Sequence, residues 1–124
     1  MSMNTSPKLS IIMPIYNGAQ YLENTVHSIL ISSYTNLELL LIDDGSTDAS
    51  LSVCEALASS DARIKVYHKA NSGIADTRNY GLNHATGDYI SFCDQDDEVS
   101  EERQKPGRHM RLLPAEEGQK QNCI

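Results

Sequence analysis

A chain of 124 residues, 40% of them apolar, can build one domain with an adequate core and has no room for a second full domain. A formal charge of -7 argues against a nucleic-acid binder, because affinity for that backbone rests on clustered Lys and Arg. Any phosphate ligand here would need a divalent cation to supply the missing positive charge.

Cys54, Cys93 and Cys123 are odd in number and lack metal-ligand spacing, which fits buried thiols in a reducing, cytoplasmic setting. No apolar run reaches the roughly 18 residues of a transmembrane segment, and residues 1–8 lack the hydrophobic core of a secretion signal.

Lys8 to Ile15 is rich in β-branched residues and reads as a buried strand, punctuated by Asn17-Gly18. A helix is predicted from Ala19 to Ser32, with Leu22, Val26, Ile29 and Leu30 forming one stripe of a 3.6-residue period. Leu37 to Ile42 has the apolar character of a parallel strand covered on both faces. Ser46-Thr47-Asp48 offers N-caps for a second helix, whose apolar stripe is Leu51, Cys54, Leu57 and Ala58. Ile64 to Tyr67 is a short third strand. After Asn71-Ser72-Gly73, the positions Ile74, Gly81, Leu82 and Ala85 indicate a third helix closed by Gly87, and Asp88 to Cys93 supplies a fourth strand.

Strand and helix alternating in this way predict an α/β fold with a mainly parallel sheet. Residues 1–8 are expected to be flexible and residues 9–97 to form the domain. From Glu98 to Ile124 charged residues dominate and apolar periodicity is lost, so a disordered tail is expected there.

Three apolar runs end in polar groups: Leu9–Met13 in Pro14-Ile15-Tyr16-Asn17, Leu39–Ile42 in Asp43-Asp44-Gly45-Ser46, and Tyr89–Cys93 in Asp94-Gln95-Asp96-Asp97. In neighbouring parallel strands these groups would meet at one edge, where open α/β sheets bind ligands. Asp94-Gln95-Asp96-Asp97 places acidic side chains around a turn, where two or more could converge on Mg²⁺ or Mn²⁺, which take one or two carboxylates together with diphosphate oxygens. A solvated acidic turn is the plainer alternative. Of Asp43 and Asp44, a helix cap needs only one, leaving the other to accept hydrogen bonds from a base or ribose. Gly45 suits a positive φ angle. Tyr16 could stack under a nucleobase or be a half-buried aromatic with a wet hydroxyl. Arg78 could partner a phosphate, a site carboxylate, or Asp76 or Glu55 in a surface pair. His27, His68, His84 and His109 show no metal-site spacing.

Taken together, Ser10 to Asn17, Leu41 to Asp48, Gly73 to Gly81 with Arg78-Asn79, and Gly87 to Asp97 resemble the nucleotide-binding part of a family 2 glycosyltransferase of the glycosyltransferase-A fold. The resemblance implies a nucleoside-diphosphate-sugar donor, most often UDP-linked, a divalent cation, and inverting transfer to a polysaccharide or glycolipid acceptor. On this resemblance Tyr16 and Asp44 would hold the base, and Pro14 and Asn17 would shape the first loop, which Asp43 supports. Asp94 and Gln95 would lie beside the ribose and diphosphate. Asp96 would be the main metal ligand, aided by Asp94, and Arg78 would orient the donor.

The likeness stops at Asp97. The acceptor-binding half of such enzymes, with its acidic general base, has no counterpart after Glu98, so the chain reads as truncated after the Asp-x-Asp motif, with no catalytic base assigned and no transfer expected from it alone. A non-catalytic nucleotide-binding module and a marginally folded chain are the alternatives. Association with the inner face of the membrane would fit a lipid-linked acceptor, but no residue encodes it.

Overall fold

The computed structural model describes residues 7–31, 34–96 and 113–114. Four parallel strands stand in the order β3 (Ile64–Lys69), β2 (Leu37–Asp44), β1 (Leu9–Ile15), β4 (Tyr89–Phe92), and β5 (Leu113–Pro114) adds antiparallel to β4. The chain runs outward from β1 through β2 to β3, then returns to the other side of β1 as β4. Neighbouring connections therefore leave in opposite directions between β1 and β4, the place where open α/β sheets form a ligand crevice.

Three layers follow from the side-chain alternation of the strands. Leu9, Ile11, Met13 and Ile15 of β1 join Leu37, Leu39 and Leu41 of β2 on one face. Over that face lie α1 (Ala19–Leu30), through Leu22, Val26 and Ile29, and α2 (Ser50–Ser60), through Cys54. Ile12, Leu40, Ile42, Ile90 and Phe92 point the other way and pack with Leu82 of α3 (Ile74–His84). Gly81 lets α3 approach β1 closely: a Cβ there would lie 2.5 Å from Ile12 Cγ2. All of β1 and β2 is buried, as expected for central parallel strands with helices on both faces.

Glu38 interrupts the apolar run of β2 and is nonetheless 2% exposed. Its Oε2 accepts hydrogen bonds from Ser10 Oγ at 2.6 Å and the Thr86 N–H at 2.7 Å, and its Oε1 from Lys65 Nζ at 2.9 Å. The Ser10 hydroxyl in turn accepts from the Gly87 N–H at 2.8 Å. This buried carboxylate thus ties the segment entering β4 to the middle of the sheet. Lys8 is held as well, its N–H donating to the Asp88 carboxylate at 2.9 Å and its Nζ to Thr86 Oγ1 at 2.7 Å.

Strands β2 and β3 each run two residues beyond the sequence expectation. The reason is a ladder of paired polar side chains: in the parallel register Asp43 lies beside His68 and Asp44 beside Lys69, and both pairs are bonded. Helix α2 begins at Ser50, later than the predicted caps, and its N-cap Ala49 makes no side-chain cap. The Asp48 carboxylate serves two helices instead, accepting from the Ser50 N–H at 2.9 Å and, across the rim, from the Ala19 N–H of α1 at 3.3 Å. The expectations for residues 1–6, for Asp97, His109 and Cys123, and for the remainder of the tail lie outside the described residues.

Candidate functional site

At the carboxyl ends of β1, β2 and β4 opens a cleft of about 280 Å³, lined by Pro14, Ile15, Tyr16 and Gln95 on one side and by Asp44, Asn71, Gly73 and Ile74 on the other. Tyr16 and Ile74 are 47% and 54% exposed, so each offers an apolar surface to the opening. The backbone around Tyr16 is held from two directions. Asn17, at φ 51°, donates its N–H to Ser46 Oγ at 3.0 Å, while its Oδ1 accepts the Thr47 N–H at 2.8 Å. The Gly18 N–H reaches Ser50 Oγ at 2.9 Å. Asn17 therefore shapes the first loop by sewing it to the second, and Gly45, at φ 71°, supplies the positive-φ turn with which the second loop leaves β2.

Asp43 and Asp44 point to opposite faces, as consecutive strand residues must. Asp43 is fully buried, with Oδ2 2.7 Å from His68 Nδ1 and Oδ1 unbonded among the described residues. Asp44 lines the cleft, but both of its oxygens are in use. Oδ1 accepts from Lys69 Nζ at 2.7 Å and the Ser72 N–H at 2.9 Å; Oδ2 accepts from the Gly73 N–H at 3.1 Å and Asn71 Nδ2 at 3.3 Å. Burial works against its charge, yet the Lys69 ammonium and these N–H donors outweigh it and hold the carboxyl below its ordinary range. Asp44 is thus the post around which residues 69–73 turn, and a base could bond to it only where one of these donors, the long Asn71 contact first, gives way.

On the β4 side, Asp94 and Asp96 are exposed and flank Gln95. Arg78 reaches up from α3, its guanidinium 5.4 Å from the centre of the Phe92 ring and 3.8 Å from Asp94 Oδ1. Of the partners open to Arg78 in the sequence, the structure thus places a site carboxylate beside it. The Gln95 carboxamide takes both backbone groups of Tyr16: Oε1 accepts the Tyr16 N–H at 2.9 Å and Nε2 donates to the Tyr16 carbonyl at 3.1 Å.

Among the described residues no group of three or more His, Cys, Asp or Glu side chains could enclose a metal ion. Two exposed hard-oxygen donors at one turn instead fit a hydrated Mg²⁺ or Mn²⁺ completed by ligand phosphates.

Residues 10–106 match the family described as Glycosyl transferase family 2. The chain belongs to this family. It is 46% identical over 98 residues to an uncharacterized glycosyltransferase of Haemophilus influenzae, covering 78% of this chain and 39% of that protein. With glycosyltransferase GlyG of Streptococcus pneumoniae it shares 43% identity over 97 residues, 77% of this chain and 32% of the relative. The chain therefore spans well under half of these curated relatives.

Among solved structures, Staphylococcus aureus TarS 1–349 in complex with UDP-GlcNAc superposes with a TM-score of 0.70 at 31% identity, over 77% of this chain and 28% of that one. Mannosyltransferase PcManGT from Pyrobaculum calidifontis, in complex with GDP-Man and Mn²⁺, gives 0.69 at 28% identity, over 74% and 28%. The α/β fold of the family 2 chain is that of the glycosyltransferase-A class, as its sequence resemblance implied. No helix among the described residues is long and apolar enough to cross a membrane.

Of the residues singled out in the sequence, Pro14, Tyr16, Asp44 and Gln95 share the cleft, Asn17 ties the first loop to the second, and Arg78, Asp94 and Asp96 lie on the β4 side, whereas Asp43 is bonded to His68 of β3 and not to the first loop it was expected to support. Lys69, Asn71 and Ile74 were not foreseen. Asn71-Ser72-Gly73 reads as an ordinary turn, and only its place after a third strand ending at the same edge could have marked it.

Proposed function

We propose that this chain binds a nucleoside-diphosphate sugar, UDP-linked by preference, as the donor-binding part of an inverting glycosyltransferase that acts on a polysaccharide or glycolipid acceptor. The observation that carries this reading is the meeting of Tyr16, Asp44 and Gln95 around one cleft at the sheet's switch point, with Asp94 and Asp96 on either side of Gln95. Tyr16 supplies a face for the base and Asn71 and Asp44 supply polar groups at its edge. Asp96 and Asp94 would hold Mn²⁺ or Mg²⁺, and the bound cation would stabilise the charge that builds on the departing diphosphate. Arg78 steadies Asp94 and adds positive charge beside it.

Inversion also needs a group that takes the acceptor hydroxyl proton on the face opposite the leaving diphosphate. No described residue is assigned that role. Because the chain spans 39% or less of the two relatives described above, the reading assigns donor binding to these 124 residues and expects no transfer from them by themselves.

Calorimetry with UDP, with and without Mn²⁺, tests the proposal. Binding that requires the metal and disappears in Asp96→Ala supports it; binding that is absent with Mn²⁺ present, or indifferent to Asp96→Ala, refutes it.

A further inference from the structure

Gln95 stands between the two carboxylates that would take the cation, yet its own side chain is turned to the backbone of another loop. Both ends of its carboxamide are used on one residue, Oε1 on the Tyr16 N–H at 2.9 Å and Nε2 on the Tyr16 carbonyl at 3.1 Å, in the manner of a strand pairing. The space for this is made by Gly18, where a Cβ would overlap the Gln95 amide. β4 is hydrogen-bonded to β1 up to the Cys93 N–H, which donates to the Ile12 carbonyl at 3.1 Å. Beyond that bond, the Gln95 clasp is what joins the 94–96 loop to Tyr16.

From this geometry we infer that Gln95 is a positioning residue which couples the cation loop to the base platform, so that a divalent ion on Asp94 and Asp96 also fixes the backbone that carries the Tyr16 ring. This rests on the donor-site reading for its purpose, but not for its test. A cation drawing Asp94 and Asp96 together restricts the residue between them, and the side chain of that residue ends on the Tyr16 amide. Coupling then runs through protein and not only through a shared diphosphate, and it is reciprocal: a base held by Tyr16 tightens the cation site by the same factor.

Hydrogen exchange at the Tyr16 amide reads the clasp in the full chain with Mg²⁺ alone, without nucleotide. In the wild type, Mg²⁺ should slow exchange at Tyr16 about tenfold while leaving the Met13 amide inside β1 unchanged. In Gln95→Ala, Tyr16 should exchange fast with or without Mg²⁺. Gly18→Ala, which displaces the carboxamide without removing it, should do the same.

A merely structural role for Gln95 would raise exchange without abolishing the response to Mg²⁺. Equal slowing by Mg²⁺ in wild type and Gln95→Ala, or no slowing in the wild type, overturns the inference. Failure of UDP to bind in calorimetry overturns the donor-site reading instead and leaves the exchange result to stand by itself.

Discussion

Replacing Glu38 with Gln isolates one electrostatic contribution that the fold makes to its own stability. The carboxylate accepts from Ser10, Thr86 and Lys65, with Lys8 Nζ at 3.5 Å. Burial alone would raise its pKa, but the donors outweigh burial and bring it from 4.5 down to about 2. At about 1.4 kcal/mol for each pH unit, the charged form therefore contributes about 3 kcal/mol to folding at neutral pH. Because the folded pKa lies below the unfolded one, that contribution is complete above pH 4.5 and fades as the pH falls from 4.5 toward 2.

Urea unfolding at pH 7 should show Glu38→Gln destabilised by about 3 kcal/mol, a midpoint lower by roughly 1 to 2 M. The gap between variant and wild type should hold from pH 8 to 5 and shrink to about 1 kcal/mol at pH 3. A gap that keeps its full size at pH 3, or a variant as stable as wild type at pH 7, would refute the assignment of the charge as the stabilising element.

Tyr16→Ala should weaken UDP binding by roughly tenfold, the loss of one base-stacking face, with little change in melting temperature because the ring is half exposed; calorimetry beside a thermal melt separates the two. Gly81→Ala should cost about 1 to 3 kcal/mol in denaturant unfolding, since its Cβ meets the buried Ile12 side chain at 2.5 Å and neither α3 nor β1 can move away without opening the core. Cys54 is held by burial, and secondarily by Asp43, with its thiol pushed up to about 12, so native protein at pH 8 should leave it unmodified by iodoacetamide while unfolded protein reacts; mass spectrometry of the Cys54 peptide decides.

Much of this architecture was legible because apolar runs and helical stripes alternate without ambiguity: the four parallel strands and three helices fall within a few residues of their expected bounds. What the sequence hid was chiefly polar. Glu38 sits inside a run that reads as apolar from Leu37 to Ile42, and its partners Ser10, Lys65 and Thr86 are 27 to 48 residues away in the chain, so no local pattern could announce them. Asp48 accepts the first N–H of α2 and, across the rim, the first N–H of α1, and the second of these is a tertiary contact that no local pattern marks. The two-residue β5 carries no period of its own. At the site, Tyr16 and Asp44 could be placed by strand ends alone. Lys69 and Asn71 could not, because their importance comes from the Asp44 carboxylate to which both are bonded.

Asp43, Asp44, Asp94 and Asp96 look interchangeable in the sequence and are physically divided in two. Asp43 is buried against His68 on the face opposite to Asp44, and Asp44 is filled by Lys69 and three N–H donors, so neither stands open to a cation in the cleft. Asp94 and Asp96 stand exposed, and among the described residues Arg78 lies 3.8 Å from Asp94. Lys69 cannot help neutralise a diphosphate, since its ammonium bonds Asp44, the Ala70 carbonyl and Ser72 Oγ. A diphosphate entering this cleft without metal would meet two exposed carboxylates and one partly engaged guanidinium on a protein of net charge -7. A divalent ion reverses that balance locally. The metal dependence expected of UDP binding is therefore a consequence of where the protein has already used its cations, and UDP binding equally well in excess chelator would show that this division of charges is wrong.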